Sequence, residues 1–193
     1  MPTSEGHEQR RLRSDERITS ATLDLLRAHG PKAVTVEAVS GASGVAKTTI
    51  YRRFANRREM LQSALATLTD NPPPAPEVPT KEKVRWAVAS AREALEDTLG
   101  LSSVGAILAN DDQEFTDSVR AVLTPHTEVL VGLMNSAVAA GNMRRNVDNN
   151  TVLSLILGAC LGEQLRFGSV RDEWLDHTVD ALWSGIGVGG GVR

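Results

Sequence analysis

Residues 71–79, NPPPAPEVP, hold five of the chain's eight prolines. Proline lacks the amide donor and its ring clashes with the preceding turn, so no helix or inner strand can cross this run. It predicts a semi-rigid extended linker. Every regular element must therefore lie before it or after it, and both sides are patterned at the helical period.

Before the linker, Ile18, Ala21, Thr22, Leu25 and Leu26 fall on one helical face. Ser14 is a good N-cap, with Asp15 and Glu16 in the first turn, so this helix is expected to start there and to end at Gly30 and Pro31. A second helix is expected from Thr35, stopped by Gly44. A third spans about 46–54, and a fourth follows Asn56 with Met60, Leu61, Ala64, Leu65 and Leu68 inward. After the linker the pattern predicts helix over about 80–99, a break at 100–105 and a short helix at 106–110. A longer helix starts near Asp112, and Pro125 predicts a kink in it or two helices meeting there. Residues 142–150 read as a polar turn, 151–167 and 172–186 as helices, and the tail GVGGGVR as mobile. No stretch alternates as a strand would, and aromatic residues are only 4%. The expected fold class is all-α.

Composition narrows the function. With 41% apolar and 23% charged residues, 193 residues can build a core without staples. The single cysteine, Cys160, excludes an internal disulfide framework and a Cys-rich zinc site; in its apolar helix it reads as buried and inert. His7, His29, His126 and His177 lack metal-ligand spacing, so no metal is expected. No apolar run reaches membrane-spanning length, and the first residues lack the apolar core of a secretory signal, so a cytoplasmic protein is expected. There is no Gly-rich phosphate loop and no nucleophile elbow. Asp111, Asp112 and Glu114 read as helix-start charges. An enzyme is not expected, nor a cofactor.

The formal charge of −3 hides an asymmetry. Residues 1–61 carry 11 Lys+Arg against 7 Asp+Glu, whereas 62–193 carry 10 against 17. A basic end on an acidic body suits a chain that meets a polyanion at that end.

The basic end contains TVEAVSGASGVAKTTIYRRFANRREML, residues 35–61. Two short helices joined by a tight turn with a glycine make a helix-turn-helix. Gly44 suits a turn position with positive φ. Val39, Val45, Ile50 and Phe54 can pack the pair on the first helix. Lys47, Thr48, Thr49, Tyr51, Arg52 and Arg53 then face outward, a set suited to phosphate oxygens and base edges.

The segment resembles the helix-turn-helix of the TetR family of bacterial transcriptional repressors. The resemblance rests on Thr35-Val36, Gly44-Val45, Lys47, Thr49, Tyr51-Arg52-Arg53-Phe54 and Arg57-Arg58 before Glu59. It covers about 45 residues; the rest is similar only in length and helical layout. It implies that residues 1–60 form a three-helix DNA-binding domain and 61–193 a larger helical ligand-binding and dimerisation domain. Thr35, Thr49 and Tyr51 would bond phosphates, Lys47 and Thr48 would enter the major groove, and Arg52 could reach a guanine edge. Arg53 and Arg57 would add backbone contacts. The implied partners are a double-stranded, pseudo-palindromic operator, a small-molecule effector and a second copy of the chain, with no membrane; repression and activation both remain open.

Four residues depart from the family pattern. Ala46 stands where a capping Ser or Thr is common, and Ser40, Gly41 and Ser43 replace alanines. Gly41 alone costs about 1 kcal/mol relative to Ala in a helix. The motif is therefore expected to lean on DNA for its final ordering. Arg10, Arg11 and Arg13 form either an ordinary solvated face or an arm tracking a flanking groove.

In the larger domain, Ser154, Gly158 and Gly162 lie four apart, flanked by Leu161 and Leu165, and Leu175, Val179, Leu182 and Ile186 form a stripe. These are the expected dimer interface, with the core of one subunit as the alternative for the last helix. Trp86, Ser90, Ile107, Phe115, Val119, His126, Leu130, Met134, Leu157, Cys160 and Phe167 could line a ligand pocket or could be packed core. The acidity of this part hints at a neutral or cationic ligand.

Overall fold

The computed structural model describes residues 4–188. They form nine α-helices: α1 (Ser4–His29), α2 (Val36–Ser43), α3 (Lys47–Arg53), α4 (Arg57–Leu65), α5 (Thr80–Glu93), α6 (Gly100–Leu108), α7 (Gln113–Ala139), α8 (Asn149–Phe167) and α9 (Trp174–Ile186). Among the described residues there is no strand, only an isolated bridge between Met143 and Gly187. The fold is all-α. The glycine-rich tail lies outside the described residues beyond Val188.

The chain divides into two compact units, Met1–Asp70 with Glu96–Leu123, and Asn71–Leu95 with Thr124–Arg193. The first unit thus adds α6 and the opening of α7 to the four amino-terminal helices.

In the first unit α2, α4 and α6 pack on α1. Ile18, Leu26, Val39, Ile50, Leu61, Leu65 and Phe115 are fully or almost fully buried there. Each such side chain contributes about 1.5–3 kcal/mol by leaving water. α1 begins ten residues earlier than Ser14. Glu8, Gln9, Arg10, Arg11 and Leu12 are good helix formers and carry the helix through. Ser14 sits inside it, its hydroxyl donating back to the Arg10 carbonyl at 2.9 Å. Arg10, Arg11 and Arg13, read as a solvated face or an arm, therefore lie on helix.

The break expected at 100–105 shrinks to one residue. A π-helical stretch (Ala94–Leu99) runs into α6 through Gly100, whose φ is 72°. A Cβ there would lie 3.0 Å from the Arg27 Cα, so only glycine lets the backbones approach so closely. Ser103 is buried in this contact and donates to the Leu26 carbonyl at 3.2 Å. α7 likewise runs through Pro125 as one helix. Proline forfeits a single ladder bond, and the 27 residues of α7 leave intact turns on both sides of it.

In the second unit α5 packs on α8 and α9. Val88, Ile156, Cys160, Trp174 and Val179 form its centre. The proline linker, residues 71–79, is non-helical. Asp148 caps α8 by accepting from Thr151 N at 2.8 Å.

Candidate nucleic-acid interface

Thr35 opens α2 with its hydroxyl oxygen accepting from Ala38 N at 3.1 Å. This satisfies one of the orphan donors of the helix. Gly44 ends α2 in the left-handed region, φ 64° and ψ 16°. The two serines expected to weaken the motif instead fasten its turn. Ser40 Oγ donates to the Val45 carbonyl at 2.8 Å, and Ser43 Oγ accepts from Val45 N at 3.1 Å. Arg17 of α1 donates to the Ser43 carbonyl. A Cβ on Gly44 would come within 2.7 Å of that guanidinium. Short polar side chains that compete with helix also bond to turn backbone, and that is their use here. These contacts fasten the turn within the protein itself and so offset part of what the two serines cost α2 as helix. Ala46 gives no side-chain cap, as its side chain dictates.

Val39, Val45 and Ile50 are buried and seat α2 and α3 on α1, with Phe54 half-buried beside them. α3 thus turns Lys47, Thr48, Tyr51 and Arg52 outward, with Thr49 half-exposed. Tyr51 is 53% exposed, high for an aromatic residue. Lys47 Nζ lies 3.1 Å from Glu37 Oε1. Its hydrogen bond holds the Glu37 carboxyl below the usual carboxylate range. Both side chains are exposed, so this pair is weak and exchangeable.

Arg53 and Arg57 are placed differently. Arg53 is only 15% exposed and pairs with Asp15 of α1. Arg57 opens α4 and faces inward. Its Nε donates to the Val34 carbonyl at 2.7 Å, and Nη2 donates to the Pro31 carbonyl at 2.6 Å. Nη2 also reaches Asp112 Oδ2 at 2.7 Å, and Nη1 reaches Glu114 Oε1 at 2.8 Å. Burial works against the Arg57 charge, but the hydrogen bonds to Asp112 and Glu114 outweigh it and hold the proton more tightly. Burial likewise raises the Asp112 carboxyl, and the bonds from Arg57 and Phe115 N outweigh that and lower it. Asp112 and Glu114 were legible as helix-start charges; their pairing with Arg57 was not, since more than fifty residues separate them. Arg17 also shapes the site and carried no local signal, while Asp15 and Ser43 were legible only as a first-turn acid and a weak helix former, not by their partners.

The pocket candidates divide between the two units. Ile107, Phe115 and Val119 lie in the first unit, Phe115 and Val119 buried in it. The other eight lie in the second. Leu130 and Met134 line an apolar cleft of only ≈ 20 Å³ with Val84, Ala87 and Met143. Drug-sized ligands occupy roughly 300–1,000 Å³. Trp86 and His126 face each other with ring centroids 6.0 Å apart. The Trp86 indole N–H is buried without an acceptor among the described residues. Burial pushes the His126 imidazole down, toward the neutral form. Ser90 accepts from Asn71 at 3.0 Å. Cys160 is fully buried, while Leu157 and Phe167 are exposed, Phe167 beneath the guanidinium groups of Arg166 and Arg171.

Of the expected dimer residues, Ser154, Gly158 and Leu165 are exposed on α8, Leu165 at 88%. Leu161, Gly162, Leu175 and Leu182 are half-buried. Val179 and Ile186 turn into the core of their own chain, which is the alternative reading for that part of the stripe.

A short helix held on a fastened turn, presenting cations, hydroxyls and one aromatic tip, defines a helix-turn-helix regulator of transcription. Residues 18–64 match the family of bacterial regulatory proteins, tetR family. The chain is 29% identical over 175 residues to the uncharacterized HTH-type transcriptional regulator YdeS of Bacillus subtilis (strain 168), covering 88% of this chain and 87% of that one. Among solved structures it is similar to reduced Escherichia coli NemR, with TM-score 0.69 and 11% identity over 92% of this chain and 99% of that chain. It is similar as well to Bacillus subtilis FadR in complex with stearoyl-CoA, with TM-score 0.61 and 15% identity over 88% and 98%. The likenesses to NemR and FadR show the fold. The helix-turn-helix part of the chain thus carries the DNA-binding motif of the tetR family, and the chain is a DNA-binding transcriptional regulator.

Proposed function

We propose that the protein is a homodimeric repressor that reads a pseudo-palindromic operator with α3 and is released from it by a small molecule. The observation that carries this reading is the outward face of α3. Lys47, Thr48 and Arg52 are aimed at base edges, and Thr35, Thr49 and Tyr51 at the flanking phosphates. Arg57 supports that surface from behind, because its donors are engaged within the protein, and Arg53 is held there by its pair with Asp15.

The apolar exposure of Leu155 and Leu165 around Gly158 on α8 supports a second copy as its cover. Two copies related by a two-fold axis bring two recognition helices to successive turns of one DNA face. The buried, unpartnered indole N–H of Trp86 beside a neutral His126 favours these two residues as polar contacts of an effector. Such an effector must bind the DNA-incompetent conformation more tightly, or it shifts nothing.

Sequence selection from randomised duplex DNA, run at two salt concentrations, tests the reading. An enriched inverted repeat supports it. No enrichment, with affinity no greater than that of a charge-matched control protein, overturns it.

A further inference from the structure

We propose that the amino-terminal half of α1 is a second phosphate-binding surface, on which Arg10 and Arg11, facing Arg52, hold the DNA strand flanking the base pairs read by α3. This rests on the operator-binding reading above and extends its footprint to a different helix.

The carrying observation is a cleft of ≈ 860 Å³ lined chiefly by α1 and α3, with Ser63 of α4 at its side and Arg10, Arg11, Ser14, Thr49, Arg52 and Arg53 in its walls. Four guanidinium groups face one carboxylate, Asp15, and Asp15 is already paired with Arg53. Arg10, Arg11 and Arg52 have no ion pair among the described residues, and all three are exposed. Unneutralised cations this close together repel one another and are stabilised by an anion between them.

Continuity selects duplex DNA as that anion. Thr49 and Arg52 belong both to the outward face of α3 and to the wall of this cleft. A strand bonded by them would carry its neighbouring phosphates into the cleft whose other wall holds Arg10 and Arg11. The helix supplies the register: Arg10, Arg11 and Ser14 share one side of α1, whereas Arg13 is exposed but does not line the cleft. Because α1 is helical back to Ser4, the two arginines are presented without the ordering cost that a disordered arm would carry. Phosphate contacts of this kind position the protein and carry no sequence information.

The test uses the full chain and the duplex recovered by selection, once with eight flanking base pairs and once trimmed to the half-sites. Arg10→Ala/Arg11→Ala is expected to weaken binding to the long duplex about tenfold or more. It should also flatten the slope of log affinity against log salt by about 1.8 per protomer, two phosphate contacts. The selected sequence should stay the same. Arg13→Ala, a loss of like charge on the same helix, should change affinity less than about twofold. Trimming the flanks should cost the wild type what the double substitution costs and cost the double variant nothing. Arg10→Lys/Arg11→Lys should retain most of the slope, which separates lost charge from lost helix, and far-UV melting confirms the fold. Equal affinity and slope for wild type and double variant on the long duplex would overturn the proposal while leaving operator binding by α3 intact. So would an equal loss in Arg13→Ala. Failure of the wild type to bind any duplex would remove both readings together.

Discussion

Arg52 and Arg57 lie five residues apart in one basic run, and the fold uses them in opposite ways. Arg52 stands exposed on α3 with no ion pair among the described residues. Arg57 meets two carboxylates and two carbonyls and is three-quarters buried. An exposed cation keeps its charge available for a partner. A saturated, largely buried one has become structure, joining the turn before α2, the start of α4 and the start of α7. What separates the two roles is the set of groups that the fold brings opposite each arginine.

Breaking the buried cluster should have the largest effect. Arg57→Ala leaves a largely buried carboxylate and two carbonyls without their donor, and should cost about 3 kcal/mol of stability. Arg57→Lys should recover only part of this, because an ammonium cannot fork between Asp112 and Glu114. Urea unfolding measures both, and wild-type stability in Arg57→Ala would place the cluster on the surface energetically. Arg52→Ala should do the reverse. Unfolding should shift by less than about 0.5 kcal/mol, while operator binding weakens by about 1–3 kcal/mol and discrimination relaxes at one base position. Loss of binding without relaxed discrimination would reassign Arg52 to phosphate. Ser43→Ala should come third, at about 1 kcal/mol of stability, because Val45 N loses its acceptor in a buried turn. An unchanged midpoint there would return the turn to the looser state its composition suggests.

The same contrast explains what could be read in advance. The helices of the first unit were legible because their apolar residues recur at the helical period and Gly44 punctuates them. The start of α1 was misplaced because a serine before two acids is a cap only where the helix stops, and the residues upstream also favour helix. Ser40 and Ser43 read as weak helix formers since a sequence does not show which carbonyl or amide a hydroxyl will meet. Arg57 matched a family position, yet its partners lie near residue 112, beyond any local signal. In the second unit the limit is different. Apolar side chains that line a pocket and those that fill a core have the same period and composition, so Phe115 and Val119 could be grouped with Met134 although they fall in another unit. On α8 the proposed dimer residues keep an exposed side, with Leu165 88% exposed, whereas on α9 Val179 and Ile186 serve the chain's own core.

The smallest effect is a pH dependence that Arg57 should carry and Arg52 should not. The Asp112 carboxyl is lowered in the folded protein because the Arg57 and Phe115 bonds outweigh burial. The unfolded chain, with an ordinary aspartate near pKa ~3.9, therefore takes up its proton first as pH falls. Where the unfolded state binds more protons, stability rises with pH. The contribution of Asp112 is thus fully present above about pH 5 and fades as pH drops through ~3.9 toward the lower folded value. Urea midpoints measured from pH 7 to pH 3 should show a constant gap between wild type and Asp112→Asn down to about pH 5, then a narrowing gap. Arg52→Ala should run parallel to wild type over the whole range, since no carboxylate is bound to it among the described residues. A gap for Asp112→Asn that stays constant to pH 3 would mean that the Asp112 charge contributes nothing there and that the cluster is held by Glu114 and the carbonyls of Pro31 and Val34.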